Sequence, residues 1–428
     1  MCEEAPFMNT YNTHTLANGL RIIHLPQKSE VVYCGYAIKG GARNEALAEE
    51  GLAHFCEHIT FKGTVHLSPL QVINSLEKVG GELNAYTAKE ETVYYAAILR
   101  QFFSKAVETL TDIVFRSTYP QAEIEKETEV VCDEIDSYRD NPAELIYDDF
   151  ENKIFHDHPL GHNVLGTKDT VRQFTTEHCK RFTTSWYRPC NAVFYVLGDV
   201  NFPQLVKRLE RLLSDYAPSA PTVASTHSGL QRETPSGSSE IIHLGMPRVN
   251  DSSMQTHQSH VMMGLAFTCN LDYWRMPLFL VNNMLGGPSM NSRFNLTLRE
   301  KRGLVYTVES VMTAYSDAML WSVYFGCDKE DAERCIRLIN SQLERLRHAP
   351  LTQSALKSVK TQLKGQIALA SQQRENFAIE MAKQYLHRAT LRSNETLYAL
   401  IDKVTVGDIH ALANEILNKD NLFTLVYA

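Results

Sequence analysis

The chain has 428 residues, of which 44% are hydrophobic and 9% aromatic, as expected of a globular protein. This length exceeds what one compact core accommodates and favours two or more domains. The formal net charge is −8, from 42 basic and 50 acidic residues. Because no basic block or stripe is present, the sequence predicts no nucleic-acid-binding surface.

The cysteines and the N-terminal residues bear on the cellular location. Nine cysteines are scattered along the chain without a Cys-x-x-Cys pair, which is typical of reduced thiols in a cytosolic protein. Residues 1–6 are acidic and lack the apolar core of a secretory signal. No apolar run approaches the roughly 18 residues that a membrane-spanning helix requires. We therefore expect a cytoplasmic protein without a membrane segment.

The first half of the chain shows strand and helix patterns with clear boundary signals. Asn18-Gly19 is a strong turn signal, and Ser68-Pro69 followed by Gly80-Gly81 marks the two ends of a helix. The predicted elements are strands at 12–24 and 30–39, helices at about 49–60 and 68–78, strands at 82–87 and 91–98, helices at about 102–116, 121–139, 142–154 and 168–184, a strand at 190–198 and a helix at about 202–215.

The second half repeats this order in outline. Residues 216–238 are rich in Pro, Ser, Thr and Gly and form the predicted linker between an N-terminal half, 1–215, and a C-terminal half, 239–428. The elements predicted after the linker are strands at about 239–246 and 257–268, helices at 271–286 and 290–302, two strands across 304–327, helices at about 329–347, 351–372, 374–388 and 406–418, and a strand at 422–427. We predict an α+β fold of two homologous half-domains, each a mostly antiparallel β-sheet covered by helices, related by internal duplication.

One short run in the first half carries a metal-binding pattern. His54, Glu57 and His58 stand among mostly apolar residues in 51–64. On a helix, His58 lies about 40° from His54, and Glu57 lies about 60° from it on the other side. Two imidazoles one turn apart can share Zn²⁺, and the order His-x-x-Glu-His is the inverzincin motif. The competing interpretation is a solvated helix face, although ionisable groups in an apolar run need a partner.

The residue between the two histidines belongs to a different face of the same helix. Cys56 lies about 200° from His54, and we interpret it as a packing residue and not a ligand.

A catalytic zinc needs a third protein ligand and an open position. Glu127 and Glu134 lie on one stripe of the helix predicted at 121–139, together with Val131 and Tyr138. A cation would offset the cost of placing two carboxylates among apolar neighbours. The alternative is that both pair with Lys or Arg on another element. A second metal site in the loop His156–His162 is disfavoured against a turn with solvated imidazoles.

The combined motifs resemble those of the pitrilysin/insulinase family of zinc peptidases. The resemblance rests on His54-x-x-Glu57-His58 with Glu134 far downstream, and it covers nearly the whole chain. It extends to the stretch 80–94 and to Arg299-Glu-Lys-Arg-Gly-Leu-Val-Tyr306 in the second half. By size the chain resembles the short two-domain branch, which includes the mitochondrial processing peptidase subunits and bacterial relatives.

The resemblance implies a set of roles. One Zn²⁺ per chain is expected, bound by His54, His58 and Glu134, with Glu57 as the general base. Further roles are implied for residues around the site: Glu127 assists the metal, Asn84, Ala85 and Thr87 lie on a strand that pairs with the substrate backbone, and Arg299 and Tyr306 hold the substrate or the developing oxyanion.

The expected activity is hydrolysis of peptides or unfolded polypeptide segments bound in extended form. The resemblance implies a homodimeric clamshell with composite sites, in which the zinc of one subunit works with the arginine and tyrosine of its partner. The alternative is a non-catalytic or partner-dependent subunit of a heteromeric processing peptidase, which predicts a broken motif. A zinc hydrolase acting on other substrates, and a phosphate-binding site at the glycine turn 285–288, are weaker interpretations.

Overall fold

A computed structural model describes residues 11–220, 243–244, 249–251, 256–268 and 271–428. The chain divides into two compact units. The first contains the described residues of 1–135, 163–227 and 370–393, and the second contains those of 136–162, 228–369 and 394–428. Most of the predicted linker, 216–238, lies outside the described residues.

The strands and helices within the described ranges are numbered in chain order. The strands are β1 (Asn12–Thr15), β2 (Arg21–Pro26), β3 (Val31–Ile38), β4 (Glu82–Thr87), β5 (Thr92–Leu99), β6 (Ala192–Gly198), β7 (His243–Leu244), β8 (Val249–Asp251), β9 (Ser259–Phe267), β10 (Val305–Ala314), β11 (Met319–Cys327) and β12 (Phe423–Tyr427). The α-helices are α1 (Leu52–Thr60), α2 (Pro69–Glu77), α3 (Phe103–Arg116), α4 (Gln121–Arg139), α5 (Pro142–Ile154), α6 (Lys168–Val171), α7 (Thr176–Trp186), α8 (Phe202–Leu212), α9 (Leu271–Gly286), α10 (Ala332–His348), α11 (Gln353–Ala370), α12 (Arg374–Arg388), α13 (Asn394–Lys403) and α14 (Val406–Glu415). A π-helix spans Asn295–Glu300.

The first unit is built on a mixed sheet with strand order β1-β2-β6-β3-β5-β4. β2 and β6 run parallel, and every other neighbouring pair in this sheet is antiparallel. One face, including Ile22 and Tyr36, packs with α1, α2 and α3 in a large apolar core. β4 forms one edge of the sheet, and this edge lies next to α1.

The second unit repeats this topology. Its strand order β8-β12-β9-β11-β10 matches β2-β6-β3-β5-β4, and the pairing sense agrees at each step: parallel once, then antiparallel three times. The predicted α+β fold of two half-domains, each with a mostly antiparallel sheet covered by helices, is confirmed. The shared topology is the structural expression of the internal duplication.

Each sheet is covered on its second face by a helix from the other half of the sequence. Ala378 and Ala382 of α12 pack on Ile23, Ala37 and Val193 of the first sheet. Ile146 and Phe150 of α5 pack with the second-sheet residues Met262 and Leu425. The contiguous halves predicted from the sequence, 1–215 and 239–428, therefore each supply most of one unit and one helix of the other. Strands that are apolar on both faces require this second layer.

Two predicted helices differ from the observed elements, and one observed helix was not predicted. The helix predicted at 168–184 is broken into α6, which is capped by the Thr167 side chain, and α7. Within the helix predicted at 290–302, residues Asn295–Glu300 form a π-helix. The helix α13 was not predicted, because its apolar residues, 397–401, are consecutive and show no helical spacing; Ile401 is its one buried residue. The predicted strand at 239–246 falls mostly outside the described residues.

The described residues bear on two further features, the cysteines and the length of the helices. All seven cysteines within the described ranges are buried and none forms a disulfide. Across the same ranges, every helix is too short or too polar to cross a bilayer.

Candidate metal centre

The metal-binding motif lies on α1, whose start is fixed by local geometry. Gly51 precedes the helix with φ of +91°, and a Cβ there would come within 2.6 Å of the Leu165 carbonyl oxygen. The Glu45 carboxylate accepts hydrogen bonds from the backbone N–H groups of Gly51 (2.9 Å) and Ala53 (2.7 Å). A carboxylate at this end also complements the helix dipole. The Gly51 turn and the Glu45 carboxylate together fix the start of α1, and thereby the position of His54 on the helix.

The two histidines share one face of α1. The ring centroids of His54 and His58 lie 4.6 Å apart. Cys56 is buried in the core on the other side, with Sγ 3.9 Å from the Cys179 carbonyl oxygen. The packing interpretation of Cys56 agrees with this placement.

Glu134 of α4 completes a three-residue group. Its Oε2 lies 3.5 Å from Nε2 of His58, and its Oε1 lies 3.9 Å from Nε2 of His54. One ligand atom from each residue lies within 4.8 Å of the others, and among the described residues no other cluster of His, Cys, Asp and Glu meets this condition. The loop His156–His162 is outside this group, and Nε2 of His158 lies 3.5 Å from Asp317.

The three residues fit a zinc ion. Ligand atoms about 2.0–2.1 Å from a tetrahedral metal lie about 3.3 Å from each other, close to the separations found here. Burial, followed by the proximity of His58, lowers the pKa of His54 to about 3, which keeps this imidazole in the neutral form that binds metals. Glu134 is 43% exposed, so one side of the group is open to solvent, as a catalytic site requires.

Glu127 holds one of the histidines in place. Its Oε1 accepts a hydrogen bond from Nδ1 of His58 at 3.0 Å, and its Oε2 lies 2.6 Å from Nζ of Lys62. Burial alone would lower the pKa of His58, but the hydrogen bond to Glu127 and the nearby charges of Glu57 and Glu134 outweigh it and raise that pKa. Glu127 therefore orients the ring with Nε2 facing Glu134.

Lys62 was not identified from the sequence. It follows α1 and stands four residues after His58, so the spacing that united the histidines also places Lys62 on their side of the chain. The alternative in which Glu127 and Glu134 pair only with Lys or Arg holds in part for Glu127, which contacts both Lys62 and His58.

Glu57 lies on α1, where this helix packs beside the edge strand β4. Its side chain is buried, and its Oε2 accepts a hydrogen bond from Thr87 Oγ1 at 2.8 Å. Burial raises the pKa of Glu57, although the Thr87 bond opposes this shift. Asn84 is exposed and Ala85 half-buried on the same strand, whose outer edge has no strand partner among the described residues. The structure thus brings the predicted base and the predicted substrate strand together.

Arg299 and Tyr306 lie in the second unit, whereas the His-His-Glu group lies in the first. Arg299 is exposed near the end of the π-helix. Tyr306 on β10 is 60% exposed and its hydroxyl lies 3.4 Å from Oδ1 of Asp328. Their predicted role in holding the substrate stays a prediction.

Comparisons with known proteins find matching families along both halves of the chain. The family described as Insulinase (Peptidase family M16) matches residues 22–168, and Peptidase M16 inactive domain matches residues 173–363. An uncharacterized zinc protease of Mycobacterium leprae is 30% identical over 95% of this chain and 89% of its own length. The uncharacterized zinc protease YmxG of Bacillus subtilis is 29% identical over 96% and 97%.

Solved structures share the fold. A protease from Helicobacter pylori has a TM-score of 0.85 at 22% identity and covers 98% of this chain and 100% of its own. A putative M16-like peptidase from Alicyclobacillus acidocaldarius has a TM-score of 0.84 at 21% identity and covers 99% of both chains.

Proposed function

Because the chain belongs to the insulinase (M16) family of peptidases, we propose that it is a zinc-dependent endopeptidase that hydrolyses peptides or unfolded segments bound in extended form. The observation that carries this proposal is the convergence of His54, His58 and Glu134 beside a buried Glu57. Three ligands, an open side and an adjacent base are the components that metal-assisted peptide hydrolysis requires.

The chain's own residues have distinct tasks in this proposal. When bound by His54, His58 and Glu134, zinc supplies Lewis-acid chemistry, polarising a carbonyl and lowering the pKa of a water. Glu57 accepts a proton from water at Oε1, the oxygen not engaged by Thr87, and passes it to the leaving amine. Burial raises the pKa of Glu57, which makes its carboxylate a stronger base than an exposed one.

The free edge of β4 supports an extended peptide as the substrate. An extended chain added to a sheet edge gains main-chain hydrogen bonds with little demand on side-chain identity. Thr87 on this strand contacts the proposed base directly, so a peptide paired with β4 would run past Glu57. This arrangement favours peptide hydrolysis over other zinc-dependent hydrolyses.

The test is cleavage of a mixed peptide pool, mapped by mass spectrometry with and without a chelator. Glu57→Gln should retain zinc and lose cleavage, whereas Glu129→Gln, at an exposed position on α4, should retain both. Normal turnover by Glu57→Gln would refute the proposal. Zinc binding by the wild-type chain with cleavage only after a second, different subunit is added would favour the partner-dependent alternative.

We further propose that the active form is a homodimer with composite sites. Arg299 and Tyr306 are exposed on the unit that does not carry the metal group, so they are available to a second copy of the chain. A mixture of a Glu57→Gln subunit with an Arg299→Ala/Tyr306→Ala subunit should regain activity that neither shows alone. Full activity of a monomer at high dilution would contradict this assembly.

A further inference from the structure

We propose that Thr87 is a positioning residue for the Glu57 carboxylate, so that the edge strand expected to hold the substrate also orients the base. This inference rests on the proposed function. It gives the hydroxyl of Thr87 a task different from the substrate contact expected from the sequence.

The contact between the two residues is direct and partly buried. Thr87 Oγ1 donates to Glu57 Oε2 at 2.8 Å, and Glu57 is only 9% exposed. Thr87 is the last residue of β4, and Glu57 lies near the middle of α1. A hydrogen bond to a charged group is stronger than one between neutral groups, and burial makes its loss costly. The bond therefore restrains which carboxylate oxygen faces the metal ligands.

The Thr87 proton goes to Glu57 and not to the neighbouring strand, because the Glu57 carboxylate oxygen is charged and closer, at 2.8 Å against 3.5 Å for Thr92 Oγ1. Thr92 stands opposite Thr87 in the β4–β5 register, with the two Oγ1 atoms 3.5 Å apart. Thr92 Oγ1 donates its own proton to the Gly40 carbonyl oxygen at 2.8 Å. Threonine is also stiff at χ1 because it is β-branched. The Thr87 hydroxyl therefore holds Glu57 Oε2 and leaves Oε1 available to a reacting water.

In this proposal the backbone and a side chain of β4 have different roles. The backbone of β4 around Asn84 and Ala85 is available for substrate pairing, while the side chain of Thr87 acts on the base. Loss of the hydroxyl should lower kcat, because the base is misoriented after substrate has bound. It should leave KM unchanged, because the strand edge remains intact.

The experiment compares Thr87→Val, which has nearly the same shape without the donor, with Thr87→Ser, which keeps the hydroxyl. We expect Thr87→Val to lower kcat for a chelator-sensitive peptide cleavage by about 10- to 100-fold, the equivalent of one charge-assisted hydrogen bond. KM should change less than about twofold and zinc content not at all. Thr87→Ser should recover most of the lost rate.

The matched control is Thr15→Val, at an exposed threonine on β1, the opposite edge strand of the same sheet. It should leave kcat and KM unchanged. Wild-type kcat in Thr87→Val would overturn the inference, as would equal impairment of Thr87→Ser and Thr87→Val, or a rate loss matched by zinc loss. If the wild-type protein itself fails to cleave peptides, the proposed function fails and this inference with it; an active wild type with an unaffected Thr87→Val defeats this inference alone.

Discussion

Nδ1 of His58 lies 3.0 Å from Oε1 of Glu127, so the ring nitrogen that faces away from Glu134 is held by a buried carboxylate. A histidine that donates one N–H to a carboxylate presents its other nitrogen to a metal in a fixed orientation and with raised basicity. Two carboxylates of α4 therefore contact His58: Glu134 lies 3.5 Å from its Nε2, and Glu127 holds its Nδ1.

The first prediction concerns Glu127. Glu127→Ala should weaken zinc binding by about 10- to 100-fold while leaving the three ligand residues in place, because His58 loses the partner that orients it. Competition with a chelator of known affinity measures the effect. Glu129→Ala, exposed on the same helix, serves as the control and should bind zinc as the wild type does. Equal zinc affinity for the two variants would show that Glu127 does not support the site.

The second prediction concerns Lys62, whose Nζ lies 2.6 Å from Oε2 of Glu127. Lys62→Met should weaken zinc binding by less than Glu127→Ala does, because Lys62 acts only by holding the Glu127 carboxylate in place. Lys62→Arg, which keeps the positive charge, should bind zinc as the wild type does. If Lys62 acts through Glu127, the Lys62→Met change should have little further effect when Glu127 is already alanine. Chelator competition on all four proteins of this cycle measures the coupling, and simple additivity would argue against it.

The third prediction concerns metal removal. Zinc bound by the folded protein should stabilise it by about 2.7 kcal/mol when free zinc is 100 times the Kd. Thermal unfolding with and without a chelator should show this as a fall in Tm for the wild type. His58→Ala should show almost no such fall, because one of the three ligands is gone. His14→Ala, at an exposed histidine on β1, should respond to the chelator as the wild type does.

The fourth prediction concerns the attachment of α12 to the first sheet. Glu91 is buried and contacts Nε2 of His387 at 2.9 Å and Nζ of Lys383 at 3.1 Å. Burial alone would raise the pKa of Glu91, but the hydrogen bond from His387 and the charge of Lys383 outweigh it and lower that pKa. Glu91→Gln should destabilise the protein at pH 7 by about 2 kcal/mol. This is less than for a fully buried pair, because the Lys383 side chain is 29% exposed.

The pH dependence of this effect has a definite sign. A carboxyl whose pKa is lower in the folded state stabilises the fold above its unfolded pKa, about 4.3 for glutamate. That contribution is lost as the pH falls through the lower, folded value. The stability difference between the wild type and Glu91→Gln should therefore be full at pH 7 and shrink below about pH 4. Urea unfolding across this range measures it, with Glu82→Gln, at an exposed position on β4, as the control. A difference that grows on acidification would refute the assignment.

Much of the fold could be predicted because its elements have strong local signals. The bounds of α4, α5, α9 and α12 agree with the predicted helices, since amphipathic periodicity and proline or glycine boundaries are properties of neighbouring residues. The break between α6 and α7 and the helix α13 were missed, because short elements depend on the surface against which they pack. The exchange of α5 and α12 between the two halves of the sequence was also beyond sequence reasoning, because nothing local says which sheet a helix covers.

The sequence by itself determined the chemistry of the candidate site: two histidines and a glutamate spaced along one helix, and a second helix with two carboxylates on one stripe. Helical periodicity is sufficient for that, since it relates residues three to seven positions apart. The family resemblance implied that Glu134 joins both histidines, and the tertiary structure brings the three together. Only the tertiary structure decided that Glu127 is shared between His58 and Lys62, and that Thr87 of the edge strand contacts Glu57. These contacts join elements distant in sequence, and their partners are selected by how the helices and the sheet pack together.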